Sequence, residues 1–147
     1  MRLSSKSDYG LRALIDLAIH AGGAPVQSHD IAARQGIPES YLNQLLILLR
    51  RAGLIRSVRG PQGGHHLARA ARAISLADIV GALDGLTAPD SANQGSDPRG
   101  SDTVTDAVAR DAWERVDAAI TDALGKITLD ALLEQRQRHD HAAMFQI

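Results

Sequence analysis

Between Ser28 and Arg69 the chain carries punctuation that few folds satisfy: two helical runs split by Gly36-Ile37-Pro38, then two short apolar segments flanking a glycine-rich turn. Ser28 to Ala33 reads as a short helix opening on a cap-competent serine, with Gln35 to Pro38 breaking it. A longer helix is predicted from about Pro38 to Ala52, proline being acceptable in a first turn where its missing N–H has no partner to lose. Leu42, Leu45, Leu46 and Leu49 follow the i, i+3, i+4, i+7 spacing of a helix buried on one side, and Ser40, Asn43, Gln44, Arg50 and Arg51 lie opposite them. After Gly53, Leu54–Val58 and His66–Arg69 read as two strands joined by Arg59–His65. The expected fold is mainly α with a small β-hairpin: a helix–turn–helix carrying a wing.

The flanking segments fit around this unit. Ser5 or Ser7 is the expected cap of a first helix, with Asp8 in its first turn, where a carboxylate is favoured. Leu11, Leu14, Ile15, Ala18 and Ile19 form its apolar face until Gly22-Gly23, and Ile31, Ala32 and Ile37 are expected to bury against Leu11, Leu45 and Leu49. Ser75 and Asp78 have the spacing of a capping box, opening a helix with Leu76, Ile79, Val80 and Leu83 inside that ends near Gly85. Leu86 to Ser101 is a loop by composition, and a flexible one. Thr103 and Asp106 repeat the capping spacing ahead of a helix to about Gly125, whose stripe runs Val104, Val108, Ala112, Trp113, Val116, Ile120, Leu124. One small domain offers little to cover so long a stripe, so a second copy of the same helix is its expected partner, in a two-fold interface. Thr128–Leu133 reads as one or two turns, with Leu129, Leu132 and Leu133 free to cover that helix, and Glu134–Ile147 as a polar end, either frayed or ordered by packing on the dimer through Met144, Phe145 and Ile147. The division expected is 1–85 for the winged helix–turn–helix, 86–102 for the loop, and 103–147 for the dimerisation helix and tail.

Charge separates the two halves. Residues 1–72 hold ten Lys/Arg against four Asp/Glu, a balance of +6, while residues 73–147 hold six against thirteen, a balance of -7. A basic front half suits a polyanion, and the acidic back half should face away from it. Aromatic residues are only 3% of the chain, so the core must be aliphatic. The first apolar run, Leu11 to Ile19, is short and broken by Arg12 and Asp16, so neither a signal peptide nor a membrane span is expected. The sequence contains no cysteine, which excludes disulfides and thiolate-ligated clusters and is compatible with the cytoplasm.

On a helix of this kind the first two turns reach base edges, which singles out Glu39, Ser40, Tyr41, Asn43 and Gln44; Asn and Gln can pair bidentately with adenine. Pro38 and the helix N-terminus would lie against phosphate. Tyr41 reads equally as a phosphate donor or as filler between helices. Lys6, Arg12, Arg50, Arg51 and Arg56 are placed for phosphates or are simply solvated. Arg59, beside Gly60 at the hairpin tip, is suited to the narrow minor groove, and His65 and His66 to phosphates when protonated. The glycines lack the lysine and the strand–loop–helix setting of a nucleotide-binding loop. His139 and His141 can chelate a metal in a folded tail, or be solvent-exposed only, which is the commoner state of such pairs; no cofactor is expected.

The opening MRLSSKSDYGLRALIDLAIH, the run IAARQGIPESYLNQLLILLRRAGLIRSVRGPQGGHHLAR, the ISLADIVGALDG segment and the late Trp113 and ITLDALL fall in the order found in the IscR/NsrR-type winged-helix transcription regulators, which the chain resembles over nearly its whole length. That resemblance implies that Ser40, Tyr41 and Asn43 are DNA-reading positions and Arg59 the wing arginine. Several members have Glu at the position of Asn43, and a common wing Tyr is His65 here. Members that sense iron–sulfur status or nitric oxide place three cysteines between the fourth helix and the long helix. The corresponding stretch, Leu86 to Ala107, has none; Ala107 stands at the last cysteine position and Arg110 near a ligating His of one subgroup. Other relatives use an acid and a His in the first helix, at positions matching Asp8 and Arg12, and arginine cannot complete such a site.

The expected function is therefore a homodimeric DNA-binding regulator, a repressor at a palindromic operator, switched by a small-molecule effector or a protein partner and not by a cysteine-ligated cluster. The alternative is a protein-interaction module of the same fold that has lost DNA binding. An enzyme is not expected, since no nucleophile–base–acid set or cofactor fingerprint is present.

Overall fold

The computed structural model describes residues 4–85 and 103–146. Helix α1 spans Ser5–Ile19, α2 Ser28–Gln35, α3 Glu39–Arg51, α4 Leu76–Leu83, α5 Val104–Gly125 and α6 Leu129–Met144; strands β1 (Ile55–Val58) and β2 (Gly64–Leu67) form an antiparallel hairpin. The architecture is mainly helical with a small β wing, as the hydrophobic periods predict. The loop expected over Leu86–Ser101 lies outside the described residues.

Side-chain caps set the starts of α1, α4, α5 and α6. Ser4, one residue before Ser5 and three before Ser7, accepts the Ser7 N–H, and Asp8 falls in the first turn of α1. Both capping boxes form, Ser75 with Asp78 and Thr103 with Asp106. Ser28 does not cap α2: Gln27 stands at that position without a side-chain bond, and Ser28 is already helical. Helix α2 ends on Gly36 at φ +64, a left-handed turn that aims the chain through buried Ile37 into α3. Pro38 is the N-cap of α3 and not its first helical residue.

The core is aliphatic, as the scarcity of aromatics requires. Leu42, Leu45, Leu46 and Leu49 of α3 bury together against Leu14 and Leu17 of α1, Ile31 and Ala32 of α2, and Ile79 and Leu83 of α4. The inward face of α1 is rotated from the expected one. It consists of Ser7, Gly10, Ala13, Leu14, Asp16 and Leu17, while Leu11, Ile15 and Ala18 are partly covered and Ile19 is exposed. The cause is polar and long-range. Asp16 is 1% exposed and receives a bidentate pair from Arg34 (Nε to Oδ2 2.9 Å, Nη2 to Oδ1 2.7 Å) plus a bond from Gln35 Nε2 at 2.9 Å. Burial pushes its carboxyl up, but the bonds and charge supplied by α2 outweigh that and hold it below the ordinary carboxylate range.

The C-terminal part departs most from expectation. Helix α6 is continuous over 16 residues, so the stretch after Leu133 continues the helix to Met144, beyond the one or two turns anticipated. Its first residue, Leu129, does not cover α5; it is fully buried in the core, with Leu133 packed on the same cluster. Leu76 N–H donates to the Ile127 carbonyl and Leu129 N–H to that of Ile74, both at 2.8 Å, stitching the α5–α6 junction to the start of α4. Helix α5 touches its own chain chiefly through α4, with Leu124 its buried residue. Val104 (82% exposed), Val108, Trp113 (65%) and Val116 stand open to solvent.

Candidate nucleic-acid interface

The buried leucines of α3 force its other side outward: Pro38, Glu39, Ser40, Asn43, Gln44, Arg50 and Arg51 are all exposed. Ile47, which the reading of polar positions passed over, is exposed among them. Tyr41 turns sideways. It is partly buried against the core, with its ring edge-on to Tyr9 of α1 at 5.8 Å and 82°, so it takes the junction role of its two readings.

The wing pairs Ile55 with Leu67, Arg56 with His66, Ser57 with His65 and Val58 with Gly64, so the connection is shorter than expected and β2 begins at Gly64. Val26 and His65 exchange both backbone bonds (3.0 and 2.8 Å), tying the wing to the segment before α2. The turn closes through Gly63 N–H to the Gly60 carbonyl at 2.9 Å, leaving Arg59 and Gly60 exposed. A Cβ at Gly63 would lie 2.2 Å from the Val58 carbonyl oxygen. Gly63→Ala is therefore expected to cost about 1–3 kcal/mol and to loosen the hairpin, read as a lower thermal midpoint and loss of amide protection at Gly64 to Leu67.

A polar cleft of about 350 Å³ joins these parts, bounded by Gln27, Ser28 and His29 before and within α2, Glu39 at the start of α3, and Ser57, Gly60 and His65 of the wing. Thus the N-terminal end of α3 and the hairpin open on one side of the molecule. His29 Nδ1 lies 3.6 Å from the Glu39 carboxylate at the rim. Within the cleft Ser57 Oγ and His65 Nδ1 are 2.8 Å apart. Burial first, then the charges of Arg50 and His66, hold the His65 imidazole below its ordinary value, which disfavours its charged form. Lys6 is exposed on α1, and Arg12 is engaged with Asp8 at 3.1 Å beside the Tyr9 ring.

The residues do not fit an iron–sulfur cluster. The sequence has no cysteine, the Asp8 carboxylate is paired with Arg12, and no three His, Cys, Asp or Glu side chains converge among the described residues. His139 and His141 are exposed on α6, where the intervening Asp140 pairs with Arg136 at 3.0 Å. No helix among the described residues is long and apolar enough to cross a membrane.

Residues 3–135 match the Rrf2 family, described as iron-dependent transcriptional regulators. The HTH-type transcriptional regulator IscR of Vibrio cholerae is 41% identical over 133 residues, covering 90% of this chain and 75% of that protein. Among solved structures, T. potens IscR has a TM-score of 0.70 at 41% identity, covering 92% of this chain and 88% of that one. CymR, the global cysteine regulator of B. subtilis, has a TM-score of 0.71 at 32% identity, covering 92% and 98%.

Proposed function

The chain belongs to the Rrf2 family of transcriptional regulators, a DNA-binding regulator of the IscR and CymR type without a cysteine-ligated cluster, and from that premise we propose that it acts as a homodimeric repressor at a palindromic operator. Residues 1–85 read the duplex and 86–102 lead from them to 103–147, where α5 pairs the two copies while Leu129 and Leu133 of α6 complete the core of the first unit. Ser40, Asn43 and Gln44 contact base edges in the major groove, with Glu39 at the entry and Tyr41 fixing the helix on α1. Arg59 and Gly60 enter the adjoining minor groove. Lys6, Pro38, Arg50, Arg51 and His65 lie along the backbone. Val108, Ala112, Trp113, Val116 and Ile120 carry the contact between copies; Leu124, expected among them, is already buried within its own subunit. The signal is a small-molecule effector or a protein partner.

The observation that supports this best is that Glu39, at the start of α3, borders one cleft with Ser57, Gly60 and His65 of the wing, while Ser40, Asn43, Gln44 and Arg59 are all exposed. A dimer with this geometry favours half-sites about one helical turn apart. The test is selection of binding sites from genomic fragments, followed by mobility shifts at fixed, moderate salt. A dyad-symmetric site is expected, with Arg59→Ala weakening it about tenfold or more. Equal affinity for selected and random DNA, indifferent to Arg59→Ala, overturns the reading in favour of an interaction module that no longer binds DNA.

A further inference from the structure

We infer that Ile47 is a specificity-determining residue, whose side chain seats on the 5-methyl group of a thymine in the major groove. The inference rests on α3 being offered to DNA, as proposed above, and adds what that helix reads there.

At about 100° per residue, Ser40, Asn43, Gln44 and Ile47 fall within roughly one 100° arc of α3, and Leu42, Leu45, Leu46 and Leu49 fill an arc of similar width on the far side. Ile47 sits near the middle of the outward arc. It is 42% exposed, whereas those four leucines are buried and Leu48 packs against the core. Single exposed aliphatic residues are ordinary on protein surfaces, so exposure alone assigns nothing. The position does. Its neighbours on the arc are side chains able to hydrogen-bond, and exposed Arg51 follows on the same side. One isoleucine among them is too small a patch to hold a protein partner.

On the floor of the major groove the thymine methyl is the apolar feature that distinguishes one base pair from another. The spacing i, i+3, i+4, i+7 is the one by which the third helix of a homeodomain presents its base-reading side chains. From Ser40 to Ile47 the helix rises about 10 Å, or about three base-pair steps. The methyl is therefore expected within about three base pairs of the position read by Ser40, in each half-site.

The test uses the full-length protein and the operator obtained by selection. Each thymine of one half-site is replaced in turn by deoxyuridine, which keeps the pairing edge and removes only the methyl group. One position is expected at which the natural protein loses about fourfold in affinity, the factor that one buried methyl group corresponds to. That loss disappears in Ile47→Ala and persists in Ile47→Val. Binding that is specific yet indifferent to every demethylation, or equally sensitive in Ile47→Ala, overturns the role of Ile47 and leaves the reading of α3 intact. A change of self-association in Ile47→Ala without DNA assigns the residue to a protein contact and overturns it as well. Failure to select any preferred sequence removes both readings together.

Discussion

Replacing Trp113 and Val116 together with glutamate is expected to turn a dimer into a monomer and to lower operator affinity by about 100- to 10,000-fold, while leaving the helical content unchanged. The two side chains lie exposed on the outer face of α5, so charges placed there disturb little of the subunit itself. In a face-to-face helix pair they would be desolvated and would repel one another, a cost that opposes pairing. The loss in DNA affinity follows from tethering. A second reading head held by the first acts at a high effective concentration, and a monomer forfeits that factor without losing any contact to its own half-site. Sedimentation and a binding titration on full and half operators check this. A variant that still sediments as the natural protein does, or a natural protein already monomeric at micromolar concentration, removes α5 as the pairing element.

Asp16→Ala is expected to lower stability by about 3 kcal/mol, seen as a fall of roughly 10 °C in the thermal midpoint. Its carboxylate is buried and bonded three times by α2. Removing it strands the Gln35 amide and leaves Arg34 without its partner. Arg34 is still 36% exposed and can turn toward water, which keeps the loss at the lower end for a broken buried pair. The same pair gives a pH dependence of definite sign. Although burial raises the Asp16 carboxyl, the bonds from Arg34 and Gln35 bring its folded value below the unfolded value of about 3.9, so its contribution is present above that pH and is lost as the pH falls through the lower folded value. Acid unfolding of the natural protein should therefore steepen below about pH 4, and Asp16→Ala should flatten that limb. A variant with an unchanged acid limb would show that the carboxylate is not held in this way in solution.

Much of the frame was legible because its causes are local. The leucine spacing of α3, the Gly36 turn and the two capping boxes each act within a few residues, and each formed where the sequence puts it. What escaped depends on partners far along the chain. The roll of α1 is set by a carboxylate whose ligands lie 18 and 19 residues away. Leu129 is an unremarkable leucine in sequence until the α4 start and the α5–α6 junction come together. Ser4 and Asp84, which hydrogen-bond at 2.5 Å and join the start of α1 to the end of α4, are 80 positions apart. The candidate site divides in the same manner. Exposure of Ser40, Asn43, Gln44 and Arg59 follows from periodicity and turn chemistry, whereas the sideways turn of Tyr41 required knowing where Tyr9 lies. Ile47 was missed because an apolar side chain is counted as core by default, yet its place off the leucine track was the available signal.

The stitch between Ile74–Leu76 and Ile127–Leu129 works as a mounting bracket. Helix α5 is 22 residues long, a beam of about 33 Å fixed near one end. Over that length a tilt of only ten degrees at the bracket carries the free tip about 6 Å, nearly two base-pair steps along a duplex. In the proposed dimer, the pitch between the two reading heads would thus be governed by the two backbone bonds of this stitch, far from either groove.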